Sequence, residues 1–168
     1  MNAIVHSRSK SEVWLAAVLL TLGFWLSASL LLDAVIVPCL SAAGMMAEAG
    51  FASTGYLIFG LFNHVELLCA AFVLVGTLVL TSDCLDRSQA KGAIALSLAM
   101  LAVVLLCTFV LTPQMSGLAL ALNQFATPAP MSSSLLLLHG VYWGLEGVKL
   151  LAGTALLLWH YRSLRAAA

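Results

Sequence analysis

The chain has 168 residues, of which 62% are hydrophobic and only 8% charged, and its mean hydropathy is +1.08. An average soluble domain is about a quarter charged, and no soluble globule of this size hides so much apolar surface, so the surrounding solvent is lipid. Seven acids balance seven bases, and a net charge of zero offers no electrostatic footprint for nucleic acid, which is set aside as a partner.

A lipid-spanning helix needs about 20 mainly apolar residues. Four runs qualify, at about 13–37, 55–80, 92–111 and 135–159. The first begins after Arg8 and Lys10 and is expected to stop at Pro38. It is too long for the apolar segment of a signal peptide, about 7–15 residues, so it reads as a retained span despite a cleavage-like Ala47-Glu48-Ala49. The second run is followed by a polar connection holding Asp83, Asp86, Arg87 and Lys91. The third is expected to end at Thr112-Pro113, and the fourth follows Ser132, Ser133 and Ser134, good residues for opening a helix. The runs do not alternate as strands do, and only helices and closed barrels satisfy the backbone in hydrocarbon. The expected fold is therefore all-α: one integral membrane domain over 1–168, a four-span helix bundle.

Six of the seven basic residues fall before span one, between spans two and three, or after span four, and residues 38–54 and 114–134 hold none. The positive-inside rule then makes both termini cytoplasmic. The expected location is the plasma membrane, multi-pass, with an internal photosynthetic membrane as the other setting this pattern suits. Residues 41–49 and 114–126 are apolar enough to lie on the outer membrane surface as short interfacial helices, the second turned back into span four by Thr127-Pro128-Ala129-Pro130. Met45 and Met46 in the first of these read as anchors facing lipid. Cys39, Cys69, Cys84 and Cys107 are scattered over levels that do not favour disulfides.

The informative residues are ionisable groups inside the spans, which are costly there and face the bundle interior. They are Asp33 in span one, His64 and Glu66 in span two, and His139, Glu146 and Lys149 in span four, with Asn63 as a neutral companion. At about 100° per residue, His139, Tyr142, Glu146 and Lys149 form one stripe on span four, while Gly140, Gly144 and Gly147 lie on an adjacent face suited to close helix packing. His64 and Glu66 point about 160° apart, so only one of them can face span four. Lys149 can pair with Glu146 three residues away or reach Glu66 across the bundle. With three acids against one lysine, at least one carboxyl needs a proton, a protonated histidine, water or an added cation. His64, His139, Glu66 and Glu146 are the candidate metal ligands. Polar groups occupy the middle and outer half of the spans, and the inner half is expected to be dry and apolar.

The order Gly23–Trp25, Val37-Pro38, Leu111-Thr112-Pro113 and Leu138-His139-Gly140, from about Trp14 to Trp159, resembles the transmembrane-protein-205-like family, domain of unknown function 4149. Animal members carry an arginine after the proline, where this chain has Gln114. The resemblance implies a compact four-helix membrane protein with no assigned activity. Its animal members are linked to platinum-drug resistance, which points toward metal or drug traffic; the family's His-Gly pair matches His139 and Gly140.

Together these features read as a non-enzymatic membrane protein, an accessory or assembly component with an intramembrane polar network. The alternatives are a small transporter coupled to protons or metal cations, and a haem-binding redox protein. The last is harder to build, because His64 and His139 differ by about 7 Å in depth. No cofactor is specified. The expected partners are the bilayer and, at this size, a second copy or a larger membrane complex.

Overall fold

The computed structural model describes residues 2–45, 48, 50–83, 87–124 and 133–167. Among these it is helical throughout, with no strand: α1 (Asn2–Leu31), a π-turn π1 (Leu32–Ile36), α2 (Val37–Ala42), α3 (Phe51–Asp83), α4 (Arg87–Leu106), a second π-turn π2 (Cys107–Leu111), α5 (Thr112–Gln124) and α6 (Ser133–Ala167). Four stretches are long and apolar enough to cross a membrane: Ser11–Ala42, Ser53–Thr81, Gln89–Ala119 and Ser133–Arg162. Only about a third of the residues in each is buried, although all four are strongly apolar. Leu20, Leu61, Leu68 and Leu151 each leave more than two thirds of their surface uncovered. An apolar exterior of this extent suits lipid and no aqueous surface.

The prolines do not end spans one and three. Each helix runs on through its proline, to Ala42 and to Gln124. Proline has no N–H, and its ring crowds the carbonyl four residues back. The chain meets this with a wider turn just upstream: Val37 N–H donates to Leu32 O, and Thr112 N–H to Cys107 O, each five residues back. The register slips by one residue and the helix continues. Residues 112–124 are thus helical, as their composition suggests, but continuous with span three. After Ala42 the chain turns at Gly44, whose φ of +71° suits glycine alone. Met46, Ala47, Ala49 and the Thr127–Pro130 turn lie outside the described residues.

The bundle is a ring in the order α1, α3, α4, α6, with α6 closing against α1. Neighbours are antiparallel. Three glycines mark the closest approaches. A Cβ on Gly76 would collide with Val18 of α1; on Gly92 it would stand 2.8 Å from the Trp159 ring; on Gly153 it would stand 2.8 Å from Leu26 and 3.3 Å from Met100. The glycines expected to pack, Gly140, Gly144 and Gly147, have nothing within 4 Å of such a Cβ. A small-residue stripe permits a helix to approach without bringing one there, and the close contact in span four is made at Gly153 instead.

The two diagonal helices, α3 and α6, run parallel and meet only through side chains that cross the centre. Toward the end bearing the chain termini (the terminal end) the centre is filled by Val18, Leu22, Val73, Leu80, Ala93, Met100, Val104 and Leu156. Toward the opposite end (the proline end) Cys107, Leu111 and Tyr142 form a smaller apolar cap with Met115 and Leu138. The polar site lies between these two plugs.

Candidate functional site

Glu66 sits one residue from the midpoint of Ser53–Thr81, and Glu146 and Lys149 sit within two residues of the midpoint of Ser133–Arg162. All three are almost wholly buried. Their length lets them span the diagonal that α3 and α6 leave open. Lys149 Nζ reaches Glu66 Oε2 at 2.5 Å and Glu146 Oε1 at 2.6 Å. Glu66 is also held from span one, where Trp25 Nε1–H donates to Oε1 at 2.8 Å and Ser29 Oγ–H to the same oxygen at 3.1 Å. Glu66 thus ties three helices together, with a donor on each oxygen.

Glu146 is held differently. It is paired with the ammonium alone, through Oε1, and no other group hydrogen-bonds either of its oxygens among the described residues. Two carboxyls therefore share one ammonium at mid-span, and only one of them is anchored. Asp33 adds a third acid. It is buried in π1, and its Oδ2 also has no hydrogen-bond partner among the described residues.

A second rung lies toward the proline end. Tyr142 O–H donates to Asn63 Oδ1 at 3.2 Å, and Asn63 Nδ2–H donates to Thr112 Oγ1 at 2.6 Å. Asn63 and Tyr142 thus stand together, with Thr112, expected merely at a helix exit, as a further partner. A third rung lies toward the terminal end. Thr77 Oγ1 and His160 Nε2 are 3.2 Å apart, and Ser97 Oγ lies 3.3 Å from Thr77 Oγ1 and donates to Ala93 O at 2.9 Å. All three side chains are fully buried. The half of the spans expected to be dry and apolar is therefore not uniformly apolar. Ending span four at Trp159 left His160 out, yet it stands 18 residues, five whole turns, from Tyr142 and so on the same face.

The other two intramembrane histidines stay apart from these rungs. His64 is exposed on the lipid side, its Nδ1–H on Gly60 O at 2.6 Å and its ring 6.5 Å from that of Phe109. His139 is half-buried, with Nδ1–H on Leu135 O at 2.9 Å. Each satisfies itself on its own helix, which corrects their placement in the shared network. The exposed His64 does not face a haem plane inside the bundle. Among the described residues no three His, Cys, Asp or Glu side chains are grouped as a metal site, so His64, His139, Glu66 and Glu146 do not converge as ligands. Cys69 and Cys107 are buried and free, and Cys39 is exposed and free.

Trp25 and Ser29 were the missed partners of the central site. They are four residues apart, hence on one face, and a buried tryptophan N–H needs an acceptor. Comparison with protein-family models, with curated proteins and with solved structures finds no match to this chain.

Proposed function

We propose that this polytopic membrane protein handles protons, and that Glu146 is the group that takes one up and gives it back. The observation that carries this is the inequality of the two carboxyls around Lys149: Glu66 has three donors, while Glu146 has the Lys149 ammonium alone. An uncompensated charge in hydrocarbon costs several kcal/mol. A proton on Glu146 removes the excess negative charge and leaves the Lys149–Glu66 pair intact. The absence of a grouped ligand set among the described residues favours a proton over a metal cation.

The packing suggests a carrier rather than an open pore. Lys149 and His160 are 11 residues, about 16 Å, apart along α6, and the space between is filled by Leu22, Val73, Met100 and Leu156. A proton at Glu146 has no polar path to the terminal end in this conformation, so release there requires the bundle to change shape. The hydrogen bonds of Glu66 favour a second, structural role for that residue, holding spans one, two and four in register as an accessory membrane component would need.

The test is infrared difference spectroscopy of the full chain in lipid nanodiscs as pH is varied. Glu146→Gln is expected to abolish a pH-dependent band from a buried protonated carboxyl with little loss of thermal stability. Glu66→Gln is expected to lower thermal stability. A carboxyl band that persists in Glu146→Gln, or no carboxyl change over the range where the fold survives, would sink the proposal.

A further inference from the structure

We propose that Asp33 is the proton-exchange residue of the proline end, carrying a proton between the water beyond that end and Glu146. This rests on the proton-handling reading of Glu146 and names the route by which that residue is reached.

Four observations point to Asp33. Its side chain is only 8% exposed, and its Oδ2 has no hydrogen-bond partner among the described residues. A carboxyl buried in this way contributes no tie to the fold, unlike Glu66, and burying it is costly. Secondly, it lies between the central site and the proline end, about 10 Å from the midpoint of Ser11–Ala42. Thirdly, it stands inside π1, where the helix register slips and backbone hydrogen bonding is re-routed from Val37 to Leu32. Such turns concentrate at sites where a helix must re-aim a side chain. Fourthly, α2, which continues the helix beyond it, has no buried residue and packs, among the described elements, only on the π1 turn that it follows.

The titratable groups around this pathway are Glu66 from α3, Tyr142, Glu146 and Lys149 from α6, and Cys107 from π2. The step itself is a plain proton transfer. A hydronium ion protonates the Asp33 carboxylate and leaves water. Asp33 then passes the proton to the Glu146 carboxylate through water that enters beside π1, and becomes an anion again. Lys149 remains an ammonium ion throughout, and no electron moves.

The natural reporter is Trp25, whose indole N–H is bonded to Glu66. In a background in which Trp14, Trp143 and Trp159 are each replaced by Phe, Trp25 is the remaining tryptophan. The full chain in nanodiscs is subjected to a rapid pH drop, and the Trp25 emission is followed in time. The parent is expected to show a change that Glu146→Gln abolishes. Asp33→Asn is expected to reach the same end-point roughly a hundredfold more slowly, the usual scale for loss of a positioned proton-transfer group. Asp33→Glu is expected to restore the rate.

An Asn variant that responds at the parent rate overturns the role of Asp33 while leaving the Glu146 reading intact. A parent with no response sensitive to Glu146→Gln overturns both. A shifted end-point with unaltered rate makes Asp33 part of the binding equilibrium and not the route, and so overturns the proposal. Should Asp33→Asn not fold, Asp33→Ser serves the same comparison; loss of fold in both marks a purely structural acid and also overturns the proposal.

Discussion

Lys149 is the residue on which the centre of the bundle depends, because two buried carboxyls contact it and its own side chain is 3% exposed. Replacing it by Met leaves Glu66 and Glu146 facing one another with no cation, and breaking a buried pair in this way costs about 3–5 kcal/mol. The triple change Lys149→Met, Glu66→Gln, Glu146→Gln leaves no charge on any of the three contacting side chains, and the amide oxygen it places at position 66 still offers Trp25 an acceptor. The triple variant is expected to unfold at a higher temperature than Lys149→Met alone. Thermal unfolding in detergent checks the order, and a single variant at least as stable as the triple would contradict the pairing. The acids and the lysine were legible in the sequence as to depth and face, because helical geometry sets both. Which acid Lys149 would choose was not legible, and the structure shows that it contacts both.

The elements make their closest contacts at glycines that no short motif marks. Gly76 has no room for a methyl group against Val18, a β-branched side chain that is stiff and fully buried. Gly76→Ala is expected to cost about 1–3 kcal/mol through overpacking. Gly140→Ala and Gly144→Ala meet open space and are expected to be neutral, or stabilising by up to about 1 kcal/mol from helix propensity. Denaturation of purified variants in one detergent separates the two classes. A marked loss of stability at Gly140 or Gly144 would show that another helix covers that face. The prolines teach the same lesson about elements. Pro38 and Pro113 correctly marked where the helices are disturbed, but a π-turn absorbs each disturbance, so both helices extend beyond the expected boundary.

Across the whole molecule, three polar rungs cross the open diagonal between α3 and α6: Tyr142–Asn63, Lys149–Glu66 and His160–Thr77. Residues 142, 149 and 160 are separated by 7 and 11 positions, each close to a whole number of turns, so one face of α6 supplies every rung. The third rung is neutral in composition and stands apart from the charged centre. His160→Leu leaves the buried hydroxyl of Thr77 with one partner fewer, at a cost of about 1–3 kcal/mol. Combining it with Thr77→Val removes an orphaned hydroxyl, and the double variant is expected to lose less than the two single losses added together. A double-mutant cycle on thermal or chemical unfolding measures that coupling, and strict additivity would mean that the rung is not a working contact.

Composition and periodicity alone determined that this chain is a four-helix membrane protein with Glu66, Glu146 and Lys149 at mid-span, because hydrophobic length and the 3.6-residue turn are local properties of the chain. They also placed Tyr142, Glu146 and Lys149, together with His139, on one face of span four. Only the tertiary structure decided which helices are neighbours and which are diagonal. That choice turned His64 out toward lipid, brought Trp25 and Ser29 onto Glu66, and left Glu146 with Lys149 as its one partner among the described residues. The physical reason is that a helix fixes the direction of a side chain relative to its own axis, whereas what stands opposite depends on how four such axes pack.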